Sequence, residues 1–359
     1  MIILSIVPRL PPAIDGVGDY ALNLARQIRK DFNIQTHFIV GNPTWNGAAE
    51  IEGFPVSQVS DRSPDALLAL LSGDRTSSIL LHYVGYGYAN RGCPIWLVDG
   101  LQRWKNLFPK RSLITMFHEI SASGPPWTSA FWLSPLQKNL AARLAQLSDR
   151  CLTSKQSYAE ILYKLAQAKH TQIPSLPVFS NIGEPEYALP LLERTRRLVV
   201  FGSRNSRLQV YQQCRTVLEQ ICQALEIEEL CDIGVPTGLE LSVINNIPVV
   251  EKGVTEAVEI SNILLDAVVG FLNFPPPAYL AKSTIFAAYC AHRLIPCMVA
   301  SSTVPIDDLQ SHKHYWSATN KNNQLCLKTG QDIADHAYTW YQTHSLPVQA
   351  KVMNNCLNI

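Results

Sequence analysis

The chain opens with the apolar run Ile2-Ile3-Leu4-Ser5-Ile6-Val7, and a proline-rich loop separates this run from Gly16-Val17-Gly18-Asp19-Tyr20. The apolar run predicts a strand that is covered on both faces, as in a parallel sheet. Tyr20–Lys30 is amphipathic and predicts a helix that starts near Asp19. A buried strand followed by a glycine-containing turn and a helix favours a doubly wound α/β domain.

The same alternation of short apolar runs and longer amphipathic segments continues along the chain, which predicts βαβ units. The runs that predict further strands are Thr36–Val40, Ser78–Tyr83, Ser112–Phe117, Cys151–Thr153, Leu198–Phe201, Pro248–Glu251, Ala267–Leu272 and Ile295–Val299. The segments that predict helices are Pro64–Leu71, Ile95–Leu107, Leu136–Leu147, Lys155–Ala168, Arg207–Leu225, Ser283–His292, Asp332–His344 and Leu346–Leu357.

The length of 359 residues suggests two domains. The rhythm breaks in the proline- and turn-rich stretch 173–186, so we place the boundary near residues 185–195. We therefore expect Rossmann-like domains over 1–190 and 191–335, followed by helices over 336–359. In such α/β folds the ligand binds at the carboxyl ends of the strands, here in a cleft that the two domains face.

Composition and charge exclude several classes of protein. Apolar residues make up 47% of the chain, which excludes a mostly disordered protein. The net charge of +1 gives no basic field for nucleic acid. The first half is slightly basic, which leaves open a peripheral contact with an anionic membrane beside the more ordinary reading of a solvated surface.

The sequence also indicates where the protein resides. No apolar run reaches the length of about 18 residues that a transmembrane helix needs. Met1–Val7 lacks a basic leader and is interpreted as a strand rather than a signal peptide. The nine cysteines contain no Cys-x-x-Cys pair, which favours reduced, buried thiols in a cytoplasmic protein without a metal site.

The first candidate site is the turn Gly16-Val17-Gly18 before the predicted helix. Its glycines would let the backbone approach a ligand, and free amides at the helix start would attract an anion such as a phosphate. It is not the dinucleotide fingerprint, because Ala21 stands where a third glycine is required. The alternative is a tight turn with Asp19 as a plain N-cap.

Two further candidates follow buried strands in the first half. Leu81-His82-Tyr83-Val84-Gly85-Tyr86-Gly87-Tyr88 offers aromatic faces and hydroxyls that suit a sugar, although its tyrosines could equally anchor the loop to the core. His118 and Glu119 stand at the end of another strand, where doubly wound folds place functional groups. His118 could act as an acid or base, hydrogen-bond a sugar, or be a core histidine.

The second half contributes two cationic candidates. Phe201-Gly202-Ser203-Arg204-Asn205-Ser206-Arg207 joins a strand to a helix, and Arg204 and Arg207 could clamp a diphosphate unless they are merely solvated. Lys282 and Ser283 follow the proline turn 274–277 at another helix start, where Ser283 could simply be the N-cap. Together these sites predict a phosphorylated small molecule as ligand.

At these residues the chain resembles the GT-B glycosyltransferases, in particular the large retaining family four. The resemblance rests on Gly16–Ala25, the strand ending at His118, the Phe201-Gly202 turn with its arginines, and Lys282-Ser283-x-x-Phe286. It implies transfer of a sugar from a nucleotide diphosphate sugar without a metal or other cofactor, with the donor on the second domain and the acceptor on the first. The final helix is expected to cross back onto the first domain.

The resemblance implies a role for each matching residue. Gly16, Val17, Gly18, Gly202, Ser203, Arg204, Arg207, Lys282 and Ser283 would bind the donor. His118, Asp19 and Arg207 are the catalytic candidates, with Asp19 or His118 as the base if the enzyme inverts. Tyr83, Tyr86, Glu119 and Trp127 are expected to contact a glycan, lipid-linked or small-molecule acceptor, and polysaccharide biosynthesis near the inner membrane face is an expectation by family analogy alone.

One departure from the family pattern stands out. Family members carry two glutamates spaced Glu-x7-Glu, whereas Ala281–His292 contains no carboxylate. Leu280 or Ala281 stands in place of the first glutamate, and Ala288 or Tyr289 in place of the second. Arg293 also stands where a glycine is usual. Ribose and sugar recognition must therefore differ, or catalysis is lost.

Three functions remain open at this point. The main hypothesis is a metal-independent, retaining glycosyltransferase. The missing glutamates motivate the second, a catalytically inactive GT-B scaffold that binds a nucleotide, a glycan or a protein. The third is a nicotinamide-dependent enzyme, which the incomplete glycine fingerprint and the absence of an acidic residue at the end of the second strand argue against.

Overall fold

The computed structural model describes residues 1–73, 78–167, 169–273, 277–318 and 324–357. The chain divides into two compact units. The N-terminal unit comprises Met1–Pro177 and the C-terminal helix Leu346–Leu357, and the C-terminal unit comprises Val178–Ser345. In the described residues, none of the helices combines the length and apolarity that crossing a bilayer requires.

A seven-stranded sheet forms the centre of the N-terminal unit. Its strands are β1 (Ile2–Val7), β2 (Gln35–Val40), β3 (Glu50–Ile51), β4 (Phe54–Gln58), β5 (Ser78–Tyr83), β6 (Ser112–Phe117) and β7 (Arg150–Thr153). The strand order is β3-β4-β2-β1-β5-β6-β7, and every pair is parallel except β3 with β4. Since the chain leaves β1 in one direction and returns to β5 on the other side, the order reverses between these two strands.

Helices connect these parallel strands. They are α1 (Gly16–Phe32), α2 (Pro64–Leu71), α3 (Gly85–Tyr88), α4 (Ile95–Leu107), α5 (Ser129–Leu147), α6 (Gln156–Leu165) and, at the end of the chain, α12 (Leu346–Leu357). α12 packs on α1 and reaches β6. The apolar runs of β1, β5 and β6 lie in the core, as fully buried parallel strands require.

The C-terminal unit repeats this plan. Its strands are β8 (Thr195–Phe201), β9 (Glu229–Ile233), β10 (Val243–Ile244), β11 (Ile247–Gly253), β12 (Ala267–Phe271), β13 (Ile295–Met298) and β14 (Trp316–Ser317). The order is β10-β11-β9-β8-β12-β13-β14, with only β10 and β11 antiparallel among these pairs. The helices are α7 (Arg204–Gln213), α8 (Arg215–Ala224), α9 (Ala257–Asp266), α10 (Thr284–Ala291) and α11 (Leu327–Gln342).

Some element bounds differ from the sequence-based prediction. The segment predicted as one helix over Arg207–Leu225 is two helices that meet at Cys214. α5 starts at Ser129 rather than at Leu136, because the Thr128 hydroxyl caps its first turn and Pro135 is accommodated within the helix. β9 was not predicted, although the sheet needs it between β8 and β11.

The predicted α/β class with two doubly wound sheets is confirmed. In each sheet the order in which strands are added reverses between two central parallel strands, which are β1 and β5 in one unit and β8 and β12 in the other. Ligands of doubly wound folds bind outside the carboxyl ends of the strands at such a reversal. Residues that follow Val7, Tyr83, Phe201 and Phe271 are therefore the first to consider.

Candidate functional site

The start of α1 lies at the carboxyl end of β1, and Asp15 is its N-cap. The Asp15 carboxylate accepts hydrogen bonds from the backbone amides of Val17 and Gly18, both at 3.0 Å. Both alternatives from the sequence are corrected here: the amides of Val17 and Gly18 are not free for an anion, and the cap is Asp15 rather than Asp19, because the helix begins at Gly16. A carboxylate at this position satisfies two of the four exposed donors of the helix and opposes a phosphate there.

The two glycines of this turn have different environments. A Cβ atom on Gly18 would lie 2.2 Å from the carbonyl oxygen of Arg9, so this glycine is required by packing within the chain. A Cβ atom on Gly16 would meet no atom within 4 Å. Of the two, Gly16 is therefore the glycine beside which a ligand could be accommodated.

Asp19 lies in the first turn of α1 and is half-buried. Burial raises its pKa to about 6, with a further contribution from the Asp15 carboxylate and an opposing one from Arg26. A carboxyl group with a pKa near neutrality can accept a proton at physiological pH and release it again, which general base catalysis requires.

His118 follows β6 and forms a pair with His82, the penultimate residue of β5. Nε2 of His118 lies 3.2 Å from Nδ1 of His82, and the two rings are 5.5 Å apart in a stacked arrangement. His118 is half-buried, whereas His82 is fully buried. Burial first, and the charge of His118 second, hold the pKa of His82 well below its ordinary value, so His82 is neutral.

The ring of Tyr20 fixes this pair from the side of α1. It contacts both imidazoles edge-on, with centroids 5.7 Å from His82 and 4.9 Å from His118. Its buried hydroxyl donates to Oε1 of Gln349 on α12 at 2.5 Å. His82, Tyr20 and Gln349 were not predicted as site residues. A histidine within the largely apolar run of β5 was the signal that could have revealed His82.

The predicted acceptor residues are not all at the surface. Tyr83 is fully buried, its ring packs on Phe117, and its hydroxyl has no hydrogen-bond partner among the described residues. Tyr83 is thus a core residue, because the apolar run of β5 extends to its last position. Tyr86 is 43% exposed, Glu119 is half-buried, and Trp127 is 85% exposed.

In the C-terminal unit, Gly202 follows β8 and Ser203 caps α7 through a hydrogen bond from the amide of Ser206. Gly202 has a φ of 140°, a conformation that favours glycine. Gly234, after β9, has the same φ, and a Cβ atom on it would lie 2.5 Å from the Gly202 carbonyl oxygen. The turns after β8 and β9 therefore touch through their backbones.

Arg207 is not placed as a ligand-facing cation. Its guanidinium is 1% exposed and forms an ion pair with the buried Asp232 of β9, while Nε donates to the Gly202 carbonyl at 3.0 Å and Nη2 donates to the Val235 carbonyl. The Tyr211 hydroxyl donates to the other Asp232 oxygen at 2.5 Å. The expectation that Arg207 clamps a diphosphate is therefore corrected, because Asp232 and the carbonyls of the two turns already bind its guanidinium.

Arg204 differs from Arg207 although both lie in the first turns of α7. It is exposed, and its Nε donates to the carbonyl of Pro236 at 3.2 Å. Its Nη groups form no hydrogen bond with the part of the chain that the structure describes. Arg204 is therefore the arginine of this turn whose charge is available to an anion.

Lys282 and Ser283 reach the same edge of the sheet. A Cβ atom on Gly202 would lie 2.7 Å from Cδ1 of Ile285, so the turn after β8 meets the first turn of α10. Nζ of Lys282 lies 5.0 Å from the ring centre of Tyr279. Ser283 is buried and caps α10 by accepting from the Phe286 amide at 3.1 Å. Residues 274–276 of the predicted proline turn lie outside the described residues.

The positions expected to hold the second glutamate of the family pattern are Ala288 and Tyr289, and both are fully buried in α10. The Tyr289 hydroxyl accepts from the amide of Phe201 at 3.3 Å and also lies near the carbonyls of Val199 and Phe271. This tyrosine joins α10 to β8 and β12, so its role here is structural, whereas the glutamate of the family pattern is expected to contact a ligand.

Arg293 has a φ of 54°, the conformation in which glycine is usual. Its guanidinium lies 3.9 Å from the ring centre of Tyr338. Among the described residues, no three His, Cys, Asp or Glu side chains are grouped as a metal site requires.

Solved structures of known proteins share this architecture. No family model and no curated protein sequence matches the chain. The chain is similar in structure to alpha-glucosyltransferase in complex with UDP-glucose and DNA containing an abasic site, with a TM-score of 0.62 and 10% identity, covering 100% of this chain and 99% of that chain. TarM gives a TM-score of 0.62 at 9% identity, covering 100% and 99% of the two chains. The lipopolysaccharide outer core galactosyltransferase WaaB gives 0.56 at 8% identity, covering 99% of each chain.

At 8–10% identity, the structural similarity establishes the fold alone, and the activity must be argued from the site. The likeness spans both sheets, since nearly the whole of each chain is covered. The predicted architecture is confirmed: the chain has the two-domain α/β fold of the GT-B glycosyltransferases.

Proposed function

We propose that this protein is a glycosyltransferase that takes its sugar from a nucleotide diphosphate sugar. The observation that carries the proposal is the meeting of the Gly202–Arg204 turn with the first turn of α10 at the strand reversal of the C-terminal unit. There the exposed guanidinium of Arg204 and the ammonium of Lys282 supply positive charge for a diphosphate. Solved structures of the same fold contain UDP or UDP-glucose, which supports this class of donor.

The C-terminal unit is thus the donor side, and the N-terminal unit is the acceptor side. In the N-terminal unit, a Cβ atom on Gly16 would meet no atom within 4 Å, so this turn offers space for a ligand. Arg207 acts through the loop: by holding the carbonyls of Gly202 and Val235 it fixes the turn that presents Arg204.

The proposed reaction retains configuration and uses no metal. The bond from the anomeric carbon to the diphosphate oxygen breaks while the bond from that carbon to the acceptor oxygen forms on the same face. The acceptor proton passes to the leaving diphosphate, so no protein nucleophile is required. Arg204 and Lys282 stabilise the charge that develops on the leaving group. In an inverting reaction, Asp19 would be the base, because its raised pKa suits that task.

We further propose that the acceptor is linked to a lipid. Residues 120–137 contain no charged side chain. Trp127, Phe131, Trp132 and Leu136 within this stretch are 85%, 44%, 71% and 38% exposed. Exposed tryptophan and phenylalanine favour the interfacial zone of a bilayer, so this aromatic face would bring the acceptor side to a membrane.

The membrane contact can be tested by sedimentation with lipid vesicles. We expect the wild type to bind vesicles that contain anionic lipid and Trp132→Ser to bind them several-fold less. Tyr187→Ser is the matched control, since Tyr187 is 70% exposed in the C-terminal unit. Equal binding of both variants and the wild type would contradict the role of the aromatic face.

A second candidate function is a binding protein that has lost catalysis. The absence of carboxylates from Ala281–His292, together with the burial of Ala288 and Tyr289, favours it specifically. Such a protein would bind a nucleotide or a nucleotide sugar without turning it over.

Thermal unfolding with a panel of nucleoside diphosphates and nucleotide sugars tests the proposal. A ligand at a hundred times its Kd adds about 2.7 kcal/mol to stability, which raises Tm by several degrees. We expect one nucleotide to do so with the wild type and with Arg215→Met, an exposed arginine control on α8, but not with Arg204→Met. No shift with any nucleotide would refute the donor site. A shift without transfer or slow hydrolysis of the sugar nucleotide would select the binding protein.

A further inference from the structure

His82 and His118 share a single hydrogen between two ring nitrogens, and its position determines the chemistry of both rings. Nδ1 of His82 and Nε2 of His118 are 3.2 Å apart. One nitrogen must carry the hydrogen and the other must accept it. The two arrangements differ in what they leave at the opposite side of the His82 ring.

That opposite atom, Nε2 of His82, is buried and has no hydrogen-bond partner in the part of the chain that the structure describes. If His118 donated, a neutral His82 would carry its own hydrogen on Nε2, as a buried N–H without an acceptor. If His82 donates from Nδ1, its Nε2 is a bare acceptor. Orphaned buried N–H groups are rarer than under-satisfied acceptors, so the second arrangement is favoured.

We propose that His82 is a positioning residue that fixes the tautomer of His118. His82 donates from Nδ1, His118 accepts at Nε2, and the neutral His118 ring carries its single hydrogen on Nδ1. The edge contacts of Tyr20 with both rings hold this geometry, and Gln349 in turn holds the Tyr20 hydroxyl.

The consequence, which rests on the proposed function, is a choice between the two roles open to His118. With Nε2 engaged by His82, the ring has a donor on Nδ1 and no second lone pair to act as a base. His118 therefore serves as a hydrogen-bond donor to a ligand oxygen rather than as the proton acceptor of the reaction.

The tautomers can be read from two-bond ¹⁵N–¹H correlations of the histidine rings in the full chain without ligand. We expect both His82 and His118 to show a protonated Nδ1 and an unprotonated Nε2. In His82→Asn the amide nitrogen replaces the Nδ1 donor, so His118 keeps this tautomer. In His82→Phe the donor is lost, and His118 moves toward the Nε2–H form. His37→Asn, on β2 of the same sheet, is the control and leaves His118 unchanged.

A protonated Nε2 on His118 in the wild type would overturn the proposal even if His82→Phe failed to fold. The functional consequence has a separate readout. With a nucleotide sugar that binds, His82→Phe should weaken binding about tenfold, the free energy of roughly one hydrogen bond, and His82→Asn should restore it. Binding of the nucleoside diphosphate alone should not change. If no nucleotide binds at all, the proposed function fails while the tautomer result stands.

Discussion

Two arginines three residues apart on α7 allow a sharp test of which side chains are structural and which are free for a ligand. We consider Arg207→Met and the matched variant Arg204→Met. Both remove one positive charge and keep a long, unbranched side chain that suits a helix. Arg207 is 1% exposed with three partners, whereas Arg204 is exposed with one backbone contact.

The magnitude follows from what Arg207→Met leaves behind. Asp232 stays buried at 3% exposure, and of the two side chains that hold its carboxylate only Tyr211 remains. Removing one partner of a buried ion pair costs about 3–5 kcal/mol, because the remaining charge is uncompensated. For a unit of this size that corresponds to a fall in Tm of about 10 °C. Arg204→Met should change stability by less than about 0.5 kcal/mol, as for other exposed sites.

Calorimetric and urea unfolding of the two variants measure this difference directly. The double variant Arg207→Met/Asp232→Asn adds a control, since the introduced amide oxygen can still accept from Tyr211 while no charge is left buried. It should recover a large part of the lost stability. Equal stability of Arg207→Met and the wild type would show that Arg207 does not neutralise a buried charge, and so would a double variant no more stable than the single one.

Two further predictions concern the start of α1. Asp19→Asn should stabilise the protein by about 2 kcal/mol at pH 8, because asparagine places no charge at this half-buried position. With a pKa raised from 3.8 to about 6, Asp19 itself contributes stability that is present below pH 4 and is lost as the pH rises through 6. Unfolding of Asp19→Asn and the wild type followed from pH 4 to pH 8 measures it, and a stability difference that stays constant over this range would contradict the assignment. Gly18→Ala should cost about 1–3 kcal/mol in thermal unfolding, since its Cβ atom would collide with the Arg9 carbonyl, whereas Gly16→Ala should be close to neutral. Equal melting temperatures for the two alanine variants would refute this distinction.

The fold was predictable because its signal is local and repeated. Runs such as Ile2–Val7 and Ser112–Phe117 are apolar at most positions and lack a polar–apolar alternation, as strands covered on both faces do. The alternation of such runs with helical segments then restricts the architecture to βαβ units. Bounds were less predictable where a cap decides them, as at Asp15 and Thr128, whose side chains start their helices earlier than the apolar pattern does.

The site was predictable in its position more than in its members. The ends of β1, β6, β8 and the start of α10 are where glycine, histidine, arginine and lysine interrupt apolar runs, and the structure brings the last two of these segments together. The sequence could not reveal that Tyr83 is buried. A tyrosine at the end of a strand can lie in the core or at the surface, and only the packing of the whole unit decides between the two.

Arg204 and Arg207 could not be distinguished from the sequence either. Both stand in one helical turn after the same glycine, and neither carries a local mark of burial. What separates them is Asp232, which arrives from β9, and Gly234, whose lack of a side chain lets the Val235 turn close over the guanidinium. A buried arginine that joins two turns makes the exposed arginine beside it more effective, because the backbone of a rigid turn loses less conformational entropy when an anion binds to Arg204. The buried guanidinium of Arg207 therefore supports the exposed guanidinium of Arg204, which in the proposed function binds the anion.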